Sequence, residues 1–193
     1  RVLFRSLRPE ATYFFAIGNY TSGGGSVTLR FSVVRRQAGG GQITAAGIVN
    51  AASFQGGGVA PGEIVTIFGS GIGPPALTGL QLNGRLVSTF VAGTRILFDG
   101  VAAPIIYVSA GQVSCVVPYS LASKSTVNVV VEYQGIASNS VTIPVQVTRP
   151  AIFTASASGS GQGAILNQNS SVNSASNPAD RGSVVVLYAT GEG

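Results

Sequence analysis

The chain has 193 residues, of which 45% are hydrophobic and 9% are charged, and its formal net charge is +5. This composition excludes a disordered polyelectrolyte and a coiled coil, and its 27 glycines among many Val, Ile, Thr and Ser residues are typical of short strands joined by turns. No run of about 18 apolar residues occurs, so no membrane-spanning segment is predicted.

The excess positive charge is confined to the N-terminal end. Residues 1–36 carry six arginines against one glutamate, which accounts for the whole excess of five, while residues 37–193 carry five basic and five acidic residues. A nucleic-acid-binding domain concentrates positive charge on the surface that contacts phosphates. The neutral main body therefore predicts no nucleic-acid partner.

Two strands around a glycine-rich turn are predicted near the N-terminus, at residues 11–17 and 27–34. Before the first of them, Leu7, Pro9 and Tyr13 resemble the tyrosine corner of immunoglobulin-like and fibronectin type III sandwiches. That corner belongs to the penultimate strand of its domain. The resemblance therefore implies that residues 1–37 are the C-terminal hairpin of a truncated fibronectin type III-like domain, followed by the glycine-rich linker RQAGGGQ.

Residues 38–149 are predicted to form a complete all-β domain, because short apolar stretches alternate with turn signals and no segment shows a sustained helical period. Asn83-Gly84 predicts a hairpin. The segment TRILFDGVAAPIIYVSAGQVSCVVP reads as three strands with turns at Asp99-Gly100 and Ala110-Gly111.

The final strand of this domain follows a long strand and a turn at Gln134-Gly135. Its period of two is expected to place four residues on one face: Val141, Ile143, Val145 and Val147. Pro144 falls on the other face and removes one backbone donor, so this strand is predicted to lie at the edge of a sheet.

The order of these segments resembles the IPT/TIG type of immunoglobulin-like domain. The characteristic positions of that family fall on Phe98, Gly100, Ala103, Pro104, Val117, Pro118, Ser138, Asn139 and Val141. The resemblance implies an immunoglobulin-like β-sandwich with partial sandwich pieces at both ends. Residues 42–193 are also similar to an uncharacterised C-terminal domain of large secreted acidobacterial proteins. The segments that carry this similarity are VNAASF, YVSAGQV and LYATGEG.

The chain also contains an internal repeat. VNAASF at residues 49–54 and GEIVTIFGSGIG at residues 62–73 return as VNSASN at 172–177 and GSVVVLYATGEG at 182–193. The second copy predicts that residues 150–193 are a linker and the first strands of a second, truncated immunoglobulin-like unit. The alternative is that residues 151–193 pack back onto the first sandwich as extra strands and cover an apolar edge.

Catalytic and metal-binding signatures are missing from the sequence, which has no histidine, one cysteine and six carboxylates. Without histidine, the Ser-His-Asp and Cys-His arrangements and the commonest zinc ligand are excluded. The carboxylates are scattered, without the Asp-x-Asp spacing of calcium loops. We therefore predict no enzyme activity, no catalytic residue, no cofactor and no metal.

Two further features have ordinary structural interpretations. A glycine-rich turn follows the strand at residues 64–68, but Pro74-Pro75 stands where a phosphate-binding loop needs a helix, so Gly69, Gly71 and Gly73 are interpreted as a tight corner of the sandwich. Cys115 lies in an apolar stretch and is predicted to be a buried thiol.

Exposed aromatic side chains are the remaining binding candidates, and in the complete domain they are Tyr107, Tyr119 and Tyr133. Two hypotheses follow. The first is a non-catalytic structural or adhesion module, a spacer or stalk of a large secreted or cell-surface bacterial protein. The alternative is a carbohydrate-binding accessory module of an extracellular hydrolase. The expected partners are neighbouring immunoglobulin-like domains of the same chain and an extracellular polysaccharide or cell-surface protein.

Overall fold

The computed structural model describes residues 39–193, so the strands predicted at residues 11–17 and 27–34 and the tyrosine corner at Tyr13 lie outside the described residues. Residues 39–193 contain sixteen short strands and one 3₁₀ turn at Tyr119–Leu121. The first nine strands are β1 (Gln42–Asn50), β2 (Ile64–Ser70), β3 (Thr78–Gly79), β4 (Leu82–Asn83), β5 (Leu86–Val87), β6 (Thr94–Phe98), β7 (Val101–Ala102), β8 (Ile105–Val108) and β9 (Gln112–Val116). The other seven are β10 (Thr126–Tyr133), β11 (Ile136–Ala137), β12 (Val141–Pro144), β13 (Ala151–Ile152), β14 (Ile165–Leu166), β15 (Val186–Leu187) and β16 (Ala189–Thr190).

Two antiparallel sheets form the body of the described chain. The first has the strand order β1-β2-β9-β8-β3 and the second β11-β10-β6-β7, with β12 also pairing to β10. Alternate residues of each strand point into one core, because successive side chains of a strand lie on opposite faces. Val65 and Ile67 of β2 and Ile96 and Phe98 of β6 are fully buried in it. This architecture is an immunoglobulin-like β-sandwich and confirms the predicted fold class.

Residues 94–116 contain four strands, and the prediction of three was wrong. Asp99 (φ 47°) and Gly100 (φ 83°) form the predicted turn, after which β7 pairs with β6. Ala103 and Pro104 end this pairing, and β8 then pairs with β9 in the first sheet. Since proline has no N–H for a ladder, the small residue and the proline mark the place where the chain passes from one sheet to the other.

The hairpin predicted at Asn83-Gly84 is present, with its turn displaced by one residue. Asn83 pairs with Leu86, so the two-residue loop is Gly84-Arg85. Gly84 has a φ of 64°, and glycine with positive φ at the first loop position is a favoured geometry for a two-residue hairpin. The dipeptide therefore locates the hairpin but not its register.

The last strand of the sandwich is shorter than predicted. β12 ends at Pro144, which pairs with Thr126 of β10, and Ile143 is buried. Val145 packs against the core, whereas Val147 is 85% exposed. Placing Val147 on the same face as Ile143 was wrong, because the chain leaves the sheet after β12 and the period of two no longer applies.

The corner at Gly69 and Gly73 agrees with its interpretation from the sequence. A Cβ atom at Gly69 would overlap the carbonyl oxygen of Gln42, and one at Gly73 would overlap that of Ser109. Backbone therefore approaches backbone at positions where no side chain fits. Within residues 39–193 no helix follows this bend.

Residues 150–193 contain two small ladders, β13 with β16 and β14 with β15. The repeat copy GSVVVLYATGEG is not one continuous strand like β2, and the side chains of Val184–Tyr188 are exposed. The domain limits at residues 37 and 149, and the choice between a second unit and strands packed on the first, stay predictions.

Candidate functional site

The start of β2 is organised by a tight turn at Pro61-Gly62. The Glu63 N–H donates to the Ala60 carbonyl, Gly62 has a φ of 73°, and proline followed by a positive-φ glycine is the signature of a type II turn. The same turn places the Glu63 carboxylate over the Ala60 N–H, which donates to Oε2 at 2.6 Å. Glu63 is 0% exposed.

Arg149 supplies the opposite charge from the segment that follows β12. Its Nη1 lies 3.2 Å from Oε1 of Glu63 and also donates to the Gly58 carbonyl. Its Nη2 donates to the carbonyls of Gln55 (3.2 Å) and Gly56 (2.8 Å). The guanidinium therefore holds the loop before β2 as well as the carboxylate. Burial nevertheless raises the pKa of Glu63, and the Ala60 N–H, Arg149 and Asn50 only partly oppose that shift.

Asn50, in the VNAASF motif, completes this cluster. Its Nδ2 donates to the Arg149 carbonyl at 3.0 Å, and its Oδ1 accepts from the N–H groups of Ala52 (2.9 Å) and Ser53 (3.2 Å). An asparagine that binds backbone two and three residues ahead stabilises a local turn. We name Asn50, Glu63 and Arg149 the exit clamp, because together they hold the segment that leaves the sandwich.

A cavity of about 260 Å³ lies beside the exit clamp, and its lining comes from the start of β2 and from the segment after Arg149. Thr190 and Gly191 connect the two sides, since Ile64 donates to Thr190 Oγ1 at 2.7 Å and Arg149 donates through its N–H to the Gly191 carbonyl at 2.7 Å. Tyr119 packs against Gly62: its phenol occupies the space that a Cβ of Gly62 would need, and the tyrosine is 63% exposed.

The structure places the three candidate tyrosines in different surroundings. Tyr107, in β8, is half-buried and its hydroxyl lies 3.4 Å from Thr66 Oγ1 in the first sheet. Tyr133, at the end of β10 in the second sheet, is also half-buried and accepts from Gln134 at 3.4 Å. Of the three, only Tyr119 is exposed. The binding role of all three stays a prediction.

The IPT/TIG domain family model matches residues 49–148. The chain belongs to the IPT/TIG family. A search of curated proteins finds no match. The IPT/TIG match lies within the predicted domain at residues 38–149 and ends one residue before Arg149. The resemblance to a domain of secreted acidobacterial proteins stays a prediction.

The structure gives the IPT/TIG motif Ser138-Asn139 a physical role. Asn139 Oδ1 accepts from the Ile43 N–H at 2.8 Å, and its Nδ2 donates to the Ile43 carbonyl at 2.9 Å. Ser138 Oγ accepts from Val131 of β10 at 3.0 Å. The motif therefore joins β1 of the first sheet to β10 of the second at the edge of the sandwich.

A second ion pair in the described part of the IPT/TIG domain joins Asp99 and Lys124, with Oδ2 and Nζ at 2.6 Å. The hydrogen bond from Lys124 lowers the pKa of Asp99, and the N–H of Asn128 adds to the shift. This pair is exposed and staples the turn after β6 to the turn before β10. Among residues 39–193 no group of three or more His, Cys, Asp and Glu side chains is placed to hold a metal ion.

Cys115 is fully buried in β9, as predicted, and desolvation raises the pKa of its thiol. The thiolate is the reactive form, so this thiol is inert in the folded IPT/TIG domain. Residues 39–193 contain no helix long and apolar enough for a bilayer crossing.

Sequence reasoning missed the exit clamp. Its members lie in three separate segments, and Glu63 and Arg149 are 86 positions apart. One signal was available: Glu63 stands directly before the apolar stretch Ile64–Phe68, a position where a carboxylate needs a partner. The identity of that partner was not readable from the order of the residues.

Proposed function

We propose that this IPT/TIG domain is a non-catalytic spacer or stalk module of a large secreted or cell-surface bacterial protein, where it also serves adhesion. The observation that carries the proposal is the place where the chain enters and leaves the sandwich. β1 begins at Gln42, which pairs with Ser70, and ends at Asn50, whose side chain holds the Arg149 carbonyl. The entrance and the exit thus lie at opposite ends of β2. The five residue steps from Val65 to Ser70 along this strand correspond to about 17 Å.

A row of domains built in this way is extended, because each unit receives the chain at one end and releases it at the other. The exit clamp adds stiffness. It binds the outgoing backbone at the Arg149 carbonyl, while the Arg149 N–H binds the Gly191 carbonyl further along. We expect neighbouring immunoglobulin-like domains of the same chain to be the principal partners, and a cell-surface protein or polysaccharide to be the target of adhesion.

The absence of histidine from the sequence supports a non-catalytic role, and so does the use of charge in the described chain. Glu63 and Asp99 are each held in an ion pair that joins two segments. Both carboxylates therefore have a structural role, since each one joins two segments of the chain. Release of reducing sugar or free acid from polysaccharide or ester substrates by the purified chain would contradict this part of the proposal.

The stiffness of the exit is tested with two spin labels on introduced cysteines, Ala45→Cys near the entrance and Ser176→Cys in the segment after Arg149. Both positions are exposed, and the buried Cys115 stays unlabelled. We expect one narrow distance distribution by pulsed electron resonance, which broadens when Arg149→Ala is added. Arg181→Ala removes an exposed arginine as the matched control and leaves the distribution narrow. A broad distribution in the clamp-intact protein would contradict the spacer proposal.

The second candidate function is the carbohydrate-binding accessory module. The exposed Tyr119 ring, which packs against Gly62 next to the exit clamp, favours it. Aromatic faces at shallow sites are surfaces on which sugar rings stack.

A further inference from the structure

The hairpin of β4 and β5 stands apart from both sheets of the sandwich. Its two strands pair only with each other, and Asn83 lies opposite Leu86 at the turn. Residues 81–86 are all exposed, so this hairpin buries little apolar surface. An isolated two-stranded hairpin is at best marginally stable in water. Local opening of the hairpin therefore requires much less free energy than unfolding of the sandwich.

The side chain of Asn83 differs from those of the other asparagines in the described chain. Residues 39–193 contain seven more asparagines, and the side-chain amide of each one forms a hydrogen bond with a neighbouring residue. Asn83 is exposed, and its side chain forms no hydrogen bond with any described residue. It is also the only asparagine in the sequence that precedes a glycine. Its amide is therefore free to rotate towards the following peptide bond.

Gly84 provides the peptide nitrogen that lies next to this amide. Its N–H donates to no acceptor within the described residues, and a Cβ atom at Gly84 would meet nothing within 4 Å. The nitrogen is therefore neither held by a hydrogen bond nor shielded by packed atoms. Glycine also lacks the side chain that crowds this nitrogen in other residues, and it adopts a wider range of backbone conformations.

We propose that Asn83-Gly84 is a site of spontaneous deamidation. The Gly84 nitrogen attacks Cγ of Asn83, a new N–C bond closes a five-membered succinimide, and the side-chain nitrogen leaves as ammonia. The proton that the Gly84 nitrogen loses is balanced by the proton that the departing nitrogen takes up. Water then opens the ring at either of its two carbonyls, which gives aspartate or isoaspartate. The reaction needs no oxidant, reductant or cofactor, and water is its only co-reactant.

Both products change the exposed hairpin. A carboxylate replaces the amide two residues before Arg85, so the net charge of the chain falls by one. The isoaspartyl product also adds one carbon to the backbone before Gly84, which disturbs the pairing between position 83 and Leu86. This inference goes beyond the spacer role and does not depend on it.

The test follows the full 193-residue chain during incubation in warm, mildly alkaline buffer, because hydroxide promotes loss of the proton from the peptide nitrogen. Peptide mapping by mass spectrometry measures the fraction of acid at each asparagine, and electron-transfer fragmentation separates aspartate from isoaspartate. We expect Asn83 to convert at least tenfold faster than any other asparagine of residues 39–193 and to give both products. The synthetic peptide QLNGRL, which has the sequence of residues 81–86, should convert at a rate within about tenfold of the folded chain, because the hairpin opens locally.

Asn83→Gln is the matched control. It keeps an exposed amide but would have to close a six-membered ring, so it should show no measurable conversion at this position. Gly84→Ala places a methyl group beside the attacking nitrogen and should slow conversion about tenfold. Far-ultraviolet circular dichroism of each variant shows whether it is folded.

Two results would overturn the inference. The first is conversion at Asn83 no faster than at Asn139, whose amide is bound twice to Ile43. The second is a rate in the folded chain more than about a hundredfold below that of the peptide, which would mean that the hairpin does not open locally. Neither result affects the spacer proposal, whose readout is the distance between spin labels.

Discussion

The Glu63 side chain is fully buried, and its contacts show how a buried carboxylate is stabilised. Three kinds of contact act on it: a backbone N–H from Ala60, the guanidinium of Arg149 and the amide of Asn50. The pKa of Glu63 is still raised, so these three contacts together lower the pKa by less than desolvation raises it. Such a pair is worth little net stability against an apolar pair of similar volume, but it is costly to break.

Removal of Arg149 should therefore have a large effect. Arg149→Ala leaves Glu63 buried without its partner, and we expect the free energy of unfolding at pH 7 to fall by about 3–5 kcal/mol. Chemical denaturation measures this change. In the Glu63→Gln background, Arg149→Ala should have a smaller effect, because no charge is left stranded. Arg181→Ala, at an exposed position, should change stability by less than about 0.5 kcal/mol. Equal losses for Arg149→Ala in both backgrounds would contradict the assignment.

The pH dependence of stability should carry the signature of Glu63. A raised pKa means that the folded state prefers the protonated carboxyl. The stability contributed by protonation is therefore fully present below the ordinary pKa of 4.5 and is lost as pH rises through the folded-state pKa. We expect the unfolding free energy of the wild type, relative to Glu63→Gln, to fall as pH rises above about 4.5 and then to level off. Relative stability that instead rises over this range would show that the pKa is lowered.

At the scale of elements, the side chain of Asn139 takes the place of a strand residue in the backbone pairing with β1. The chain bends between β11 and β12, and the side chain of Asn139 offers the Ile43 backbone the donor and acceptor that a neighbouring residue would otherwise supply. A side-chain amide has the same donor and acceptor groups as a peptide unit, so it continues the pairing where the backbone turns away.

Asn139→Ala should open this edge of the sandwich. Both backbone groups of the buried Ile43 lose their partner, and we expect a loss of about 1–3 kcal/mol in the free energy of unfolding. Hydrogen exchange should show faster exchange of the Ile43 amide before global unfolding. Asn169→Ala, whose amide bonds only to nearby Ser171, is the control and should have little effect. Unchanged exchange at Ile43 would show that Asn139 is not the partner that protects it.

At the scale of the whole molecule, β9 lies at the centre of the first sheet, between β2 and β8. Its Cys115 belongs to the same core as Val65 of β2 and Phe98 of β6. Access to this thiol therefore requires the two sheets to separate, and the reactivity of Cys115 reports on the integrity of the whole sandwich.

The thiol of Cys115 should not react with a chromogenic disulfide at pH 8 in the folded protein, and it should react fully after denaturation. Burial both blocks access and raises the pKa of the thiol, so little thiolate forms. The introduced Ala45→Cys thiol, which is exposed, should react within seconds and serves as the control. Comparable rates at the two positions in native buffer would mean that the sandwich opens without unfolding.

The order of residues alone determined the fold class and the places of the main turns. Alternating Val and Ile residues need one buried face, and Asp99-Gly100 and Gln134-Gly135 adopt the positive φ values that tight hairpins require. These are local properties of adjacent residues. The alternation of faces applies only within a strand, and the prediction failed beyond the end of one. Val147 fits the period of two in the sequence, but it lies after the end of β12 and is exposed.

The tertiary structure alone decided which distant segments share a site. Asn50, Glu63 and Arg149 meet because the end of β1, the start of β2 and the exit after β12 fall at the same end of the sandwich, and Tyr119 reaches Gly62 because β9 runs antiparallel to β2. Each short stretch of sequence has its own conformational preferences. The partner of a buried charge and the residues that line a cavity depend instead on how the strands are ordered in the sheets. That ordering is fixed by packing over the whole core, which no short stretch of sequence contains.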